Sequence, residues 1–272
     1  MRKVTGYHPI VSTSRSTWDD GDGDGQGRGS VMTLWHEGAL ASFDTETTGV
    51  DVERDRIVTA ALVVQERPGG PLRRQDWVVD PGLPIPAQAT AVHGLTDAWA
   101  REHGAAPGPA VEGIARALAE NARTGRPLVV MNAPYDLTLL DRELRRHRGL
   151  TLAQYTSGSP LLVVDPWVVD RHVDRYRKGR RTLTALCAHY GVPLTDAHDA
   201  GADATAALEL ARAIGRRHHG ALEGLSAAEL HLRQAVWHAA QARGLEQWFA
   251  RSGSPARVEP AWPLRLPLEQ AA

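Results

Sequence analysis

Residues 43–49 read FDTETTG, one residue after the apolar run Ala39-Leu40-Ala41. Side chains two positions apart on a strand point to the same face, so Asp44 and Glu46 share one side of an otherwise apolar strand. Two like charges there repel. One reading is a strand end fraying into a solvated turn, TTG. The other is a cation site, because hard divalent ions take carboxylate oxygens. The stretch alone does not choose between them.

The surrounding sequence supplies the fold. GALASFDTET reads as a first strand, RIVTAALVVQ (56–65) as a second and RRQDWVVDPG (73–82) as a third ending in a turn. ERPGGP (66–71) is a hairpin-type connection, and an irregular Pro-rich passage follows the third strand. PAVEGIARALAENAR (109–123) carries Val111, Ile114, Ala115 and Leu118 at helical spacing. RPLVVMNA (126–133) and SPLLVVDP (159–166) read as short buried strands. PYDLTLLDRELRRH (134–147) reads as a helix with Pro134 in its first turn, and further helices follow at about 182–190 and 199–218. Three hairpin-linked strands followed by helix–strand units predict an α/β domain over 38–218, a mixed sheet with helices on its faces.

Residues 1–37 read as a disordered arm, since GDGDGQGRGS (21–30) cannot bury enough surface to order itself. The acids within it lack the spacing and terminal Glu of a calcium loop, so a linker is the better reading. The 272 residues suffice for one substantial domain plus an appendage, residues 219–272. The chain has 31 Lys and Arg against 32 Asp and Glu, so nothing in the overall charge forces a nucleic-acid or membrane reading. A polyanion would need local positive charge or metal ions. A single cysteine, Cys187, excludes a disulfide framework within the chain and fits a reducing cytoplasm. The N-terminus lacks the apolar core of a signal peptide, and no apolar run reaches membrane-spanning length.

Further acids then come into play. Asp136 sits in the first turn of its helix, where a carboxylate complements the helix dipole, so dipole and site readings both stand. In HDAGADATAALELARAI (198–214), Asp203, Ala207, Leu210 and Ile214 form one stripe, which turns Asp203 toward the core, where a carboxylate needs a charged or metal partner. His198 shares that face only if it sits on the preceding loop and folds back, and Asp199 reads as the N-cap.

FDTETTG, NAPYDLTLL and HDAGADA, in that order and with AVHGLTD (91–97) between the first two, resemble the motifs of the DnaQ-like exonucleases in their DEDDh form. Tyr135 stands where the family usually has Phe. The resemblance covers about 38–216 and implies a ribonuclease-H-like fold, with a five-stranded mixed sheet flanked by helices. It implies that Asp44, Glu46, Asp136 and Asp203 hold two divalent ions, Mg2+ or Mn2+, and that His198 is the general base of phosphodiester hydrolysis at a nucleic-acid 3′ end. Thr45, Thr47, His93 and Asn132 become candidate substrate contacts, although His93 also reads as a turn residue and Asn132 as a helix cap. DNA is the leading substrate, and RNA is the alternative, because the metal chemistry acts at the phosphate. A polymerase or repair partner, and a non-catalytic docking role, are the further options.

The run RYRKGRR (175–181) reads either as a solvated loop or as a contact to phosphates, with the balance toward phosphates. Asp165 and Asp170 receive no role. In the appendage, Ser226 and Glu229 form a capping-box pattern before a long helix bearing Trp237, Trp248 and Phe249, aromatics expected to pack back on the domain. The Pro-rich end either tucks along the domain or binds a partner.

Overall fold

The computed structural model of the protein describes residues 34–195 and 197–267. Its sheet is centred on β1 (Leu40–Thr47), with β2 (Ile57–Gln65) and β3 (Leu72–Val78) on one side and β4 (Leu128–Val129) and β5 (Val163–Val164) on the other, in the order β3-β2-β1-β4-β5. β1, β2 and β3 run antiparallel, whereas β4 and β5 run parallel to β1, so the sheet is mixed. β2 is apolar and buried on both faces, whereas β3 is an edge strand whose Arg73, Arg74 and Asp76 discourage pairing with another chain.

The ladders of β4 and β5 are shorter than the apolar runs 126–133 and 159–166 suggested. Asn132 adopts the left-handed conformation (φ 60°) and turns the chain out of the sheet after β4. After β5, Asp165 becomes a helix N-cap and Pro166 opens the helix, which ends strand pairing.

The helices are α1 (Ala87–His93), α2 (Asp97–His103), α3 (Pro107–Arg123), α4 (Ala133–Arg148), α5 (Leu152–Tyr155), α6 (Pro166–Val173), α7 (Leu183–Tyr190), α8 (Ala200–Arg217), α9 (His219–Leu222) and α10 (Ala227–Arg251). α1 lies in the Pro-rich passage that reads as irregular, and α2 begins where that passage ends, at Asp97. None of the described helices is long and apolar enough to cross a membrane.

Each sheet face has its own core. Ala41 and Phe43 of β1 pack with Ile114 and Leu118 of α3 and with Leu137, Leu140 and Leu144 of α4. Leu40 faces the other way, with Val63, Val129, and Leu208, Leu210 and Ile214 of α8. A fully buried side chain such as Phe43 contributes about 1.5–3 kcal/mol, so strand alternation fixes the register of β1 firmly. That register decides the site: Asp44 and Glu46 share the parity of Leu40 and face α8, while Thr45 faces α4.

The expected N-terminal arm lies outside the described residues up to residue 33. Residues 34–37 belong to the folded body, because Trp35 and His36 are buried. The buried Arg212 of α8 holds this turn, donating to the Gly38 carbonyl at 3.0 Å, to the His36 carbonyl and to Gln65 Oε1.

The capping box of α10 is present: Ser226 Oγ accepts from the Glu229 N–H, and Glu229 Oε2 accepts from the Ser226 N–H. α10 lies beside β5, where the buried Gln234 accepts from the Asp165 N–H at 2.7 Å and donates to the Val163 carbonyl at 2.9 Å. The Pro-rich end tucks along the domain. Trp262 is buried in the α3–α4 core, the Arg265 N–H donates to Thr138 Oγ1 at 2.8 Å, and Arg142 donates to the Leu266 carbonyl at 3.0 Å. Of the α10 aromatics, Trp237 is partly buried against the cores, whereas Trp248 is 54 % exposed, contrary to the expected inward packing.

Candidate active site

The site forms where β1 ends and the first turns of α4 and α8 arrive. β1 carries Asp44 and Glu46 to its C-terminal end. The left-handed turn at Asn132 starts α4 so that Asp136 falls in its first turn, buried. There Thr45 Oγ1 donates to Asp136 Oδ1 at 2.6 Å, so the Thr45 hydroxyl is committed to positioning a carboxylate. Asp199 caps α8 by accepting from the Ala202 N–H at 2.9 Å, and Asp203 lies one turn on at 9 % exposure. His198 sits before the cap with φ 72°, a conformation costly for a side chain other than glycine. Its N–H donates to Asp203 Oδ2 at 3.2 Å, folding the loop back over the helix start.

This brings one ligand atom each from Glu46, His198 and Asp203 within 4.8 Å of one another. Asp44 and Asp136 lie outside that tight triad but within its electrostatic field. Desolvation raises the Asp44 carboxyl well above the usual range, and Asp136, Asp203 and Glu46 push it the same way. Glu46 is raised to about 8, first by desolvation and then by Asp203 and Asp136. Asp136 rises to about 7 through desolvation, opposed by the Thr45 hydrogen bond, and desolvation also raises Asp203. Buried like charges of this kind ask for cations. Asp203 Oδ1 fits that demand directly, being buried with no hydrogen-bond partner. The donor set, carboxylate oxygens plus one imidazole, suits hard divalent ions.

The candidate substrate contacts divide. The exposed Asn132 makes no side-chain cap to α4, which leaves its amide available. Thr47 is not free: its hydroxyl donates to the Gly49 carbonyl at 2.7 Å and lies 2.6 Å from the Tyr135 hydroxyl. Tyr135 also reaches that carbonyl, so the hydroxyl that Tyr adds over Phe ties down the FDTETTG loop. His93 is similarly engaged. Its Nδ1 accepts from the Leu95 N–H at 3.0 Å, which leaves Nε2 as the donor to the Thr47 carbonyl at 3.2 Å. Burial lowers its pKa and keeps the ring neutral. Beside Glu46 and His198, a cavity of about 290 Å³ is lined by His93, Trp99, Trp77 and Arg74.

Two residues at the site escape the sequence patterns. Arg74 pairs with Asp76 on its own strand (2.6 Å) and crosses from β3 to Asp199 (3.1 Å), bracing the loop that carries His198. Gly201 makes that crossing feasible, because a Cβ there would sit 1.8 Å from the Arg74 guanidinium carbon. Asp165 is fully buried and accepts from the N–H groups of Asn132, Ala133 and Trp167, each at 3.0 Å, and from the Trp262 indole at 3.4 Å. It therefore fixes the turn that aims α4. Burial raises its carboxyl to about 6 against those donors. Its position before Pro166 is a readable N-cap signal; its grip on Asn132 is not. Asp170 accepts from Arg181 at 2.6 Å, Arg177 at 3.3 Å and the Tyr190 hydroxyl at 2.9 Å, so two cations of RYRKGRR serve an internal ion pair and not an open phosphate surface.

Comparisons with known proteins bear on the fold and the family of the chain. The chain is 42 % identical over 105 residues to a DNA polymerase III subunit epsilon-like protein of Rhodobacter capsulatus, an alignment covering 37 % of this chain and 14 % of that protein. It is 30 % identical over 171 residues to the PolC-type DNA polymerase III of Streptococcus thermophilus, covering 62 % of this chain and 11 % of that one. The alignments thus span a small part of these relatives. Among solved structures, E. coli exonuclease I in complex with a dT13 oligonucleotide superposes with a TM-score of 0.58 at 16 % identity, covering 69 % of this chain and 43 % of that chain. Exonuclease I from Methylocaldum szegediense gives 0.57 at 19 %, covering 78 % and 46 %. These two share the fold. The exonuclease model of the RNase_T family matches residues 42–211, more than half of the chain. The chain belongs to that exonuclease family.

Proposed function

We propose that the protein is a metal-dependent 3′–5′ exonuclease that hydrolyses phosphodiester bonds at DNA 3′ ends and releases nucleoside monophosphates. The observation that carries this reading is the gathering of four mutually repelling carboxylates at the end of β1, with one buried oxygen of Asp203 left without a partner. Two divalent ions, Mg2+ or Mn2+, held by Asp44, Glu46, Asp136 and Asp203 would supply Lewis-acid activation of water and charge neutralisation at the phosphate. His198 accepts the proton of the attacking water at a ring nitrogen. The water oxygen bonds to phosphorus as the P–O3′ bond breaks, and the 3′ oxygen of the shortened strand takes a proton from solvent. Asn132 contacts the terminal nucleotide, while Thr45 positions Asp136 and Thr47 and His93 hold the loop that faces it.

The polymerase names of the relatives and the oligonucleotide held by E. coli exonuclease I support DNA as the substrate, and the former support a cytoplasmic role beside a polymerase or repair complex. Residues 38–218 are the catalytic domain in this reading, and 219–272 its extension.

The test is Mg2+-dependent mononucleotide release from single-stranded DNA, with RNA run in parallel. Asp44→Ala is expected to abolish release, and His198→Ala to slow it. Release that survives Asp44→Ala, or that needs no metal, refutes the two-ion site. Preference for RNA ends would reassign the substrate, and a wild-type protein that releases nothing would leave a docking role.

A further inference from the structure

A second surface of the molecule carries the chemistry of nucleic-acid contact. Between α6 and α10 lies an open groove of about 590 Å³, lined by Arg171, His172 and Arg175 on one side and by Trp237 and Trp248 on the other. No carboxylate lines it among the described residues. Arg181 also borders the groove, but its charge is committed to Asp170 at 2.6 Å. Arg171 and Arg175 form no salt bridge among the described residues, so their charge is available. The Arg171 guanidinium lies 4.4 Å from the Trp167 ring centroid, which holds it in place. The His172 ring stacks on Trp237 at 3.8 Å and 8°, making a flat two-ring platform whose His172 side is exposed.

Trp237 and Trp248 stand eleven residues apart on α10, which puts them on nearly the same helix face about 16 Å apart along its axis. Between them the wall is opened by Gly244. A glycine inside a helix costs stability relative to alanine, and nothing lies within 4 Å of the Cβ position at Gly244, so packing does not require it. Its effect is to leave the groove open.

We propose that this groove binds single-stranded nucleic acid, its phosphates against Arg171 and Arg175 and its bases against the His172–Trp237 stack and Trp248. Cations that follow a backbone beside stacking aromatics are the general form of such a site. The groove's aromatic wall lies beyond the family match at residues 42–211, so this is a contact added by the extension. As a second hold on the strand during hydrolysis it rests on the exonuclease reading; as a binding site it does not.

The experiment keeps the two apart. Binding of a fluorescein-labelled oligo-dT of about 20 nucleotides is followed by anisotropy in EDTA, where no turnover occurs. The wild type is compared with Arg171→Gln/Arg175→Ala, with Trp248→Ala, and with Gly244→Phe, which fills the groove without removing a charge. The double variant is expected to bind about tenfold more weakly and to lower the log–log salt slope by about 1.4, the loss of two phosphate contacts to a single strand. Trp248→Ala and Gly244→Phe are expected to weaken binding at an unchanged salt slope. With Mg2+, hydrolysis of a dinucleotide should be unchanged in all three variants, while KM for the long oligonucleotide rises. Wild-type affinity in the double variant and in Gly244→Phe overturns the proposal. So does a poly-Glu peptide that competes fully while Trp248→Ala binds DNA normally, because that outcome marks a charge-only site. Groove-dependent binding in a protein that hydrolyses nothing upholds the proposal and refutes the exonuclease reading alone.

Discussion

Glu46→Gln should make the metal-free protein more stable while removing its activity. Glu46 is 8 % exposed, and burial with Asp203 and Asp136 raises it from 4.5 to about 8. A group whose folded pKa exceeds its unfolded value contributes stability that is complete below the unfolded pKa and is lost as pH rises through the folded one. Without metal, the protein should therefore lose stability between about pH 4.5 and pH 8. At pH 7 the cost from Glu46 alone is about 3 kcal/mol, integrated between the two pKa values. Glutamine keeps the shape and drops the charge, and it also relieves Asp44, which feels Glu46 directly. Urea denaturation in EDTA at pH 5 and pH 8 checks this. The variant should match the wild type at pH 5 within about 1 kcal/mol and exceed it by about 4 kcal/mol at pH 8. Millimolar Mg2+ should reverse the order at pH 8 by stabilising the wild type through binding. A variant less stable than the wild type at pH 8 in EDTA, or a wild type whose stability is flat across this range, refutes the account of a site strained by its own charge.

Three further outcomes follow from the geometry. Asp165→Ala leaves the buried N–H of Ala133 and the part-buried N–H groups of Asn132 and Trp167 without their acceptor and should cost about 3 kcal/mol in urea denaturation. Thr45→Val removes the 2.6 Å bond that holds Asp136; nucleotide release should fall about tenfold, with stability reduced by no more than about 2 kcal/mol. Gly201→Ala must displace the Arg74 guanidinium, a flexible group, so stability should change by less than about 1 kcal/mol while KM for a DNA end rises about fivefold as Arg74 loses Asp199.

Most of the framework is legible in the sequence because it rests on local periodicity. The alternation in β1, the apolar runs of β2 and the helical stripes of α3, α4 and α8 state which face each element buries. Periodicity does not reveal where a ladder stops: β4 and β5 end where Asn132 and Asp165 turn the chain, and those turns depend on each other through hydrogen bonds across 33 positions. α1, α2 and α6 are short, and Pro86 and Pro166 at their starts read as breaks as readily as first-turn prolines. At the site, residue types and spacing raise the acids and His198 as candidates, and the resemblance of their motifs to the exonuclease motifs selects them. The commitments of the Thr45 and Thr47 hydroxyls, the reach of Arg74 and the pairing of Arg177 and Arg181 with Asp170 are tertiary facts with no local pattern.

The bond network around Asp165 also bears on how this chain can be cut and reused. Residues 42–211 form the span shared with other exonucleases, and a transplant of the enzyme would naturally be trimmed to it. Yet Asp165, inside that span, takes its own N–H acceptor from Gln234 and an indole donor from Trp262, both outside it. Arg142 and Thr138 of α4 likewise finish their hydrogen bonding on Leu266 and Arg265. The boundary of inherited sequence and the boundary of mechanical self-sufficiency therefore do not coincide in this protein. A fusion or chimera that respects the first would carry all four acids and still lack the buttress behind the helix that presents Asp136.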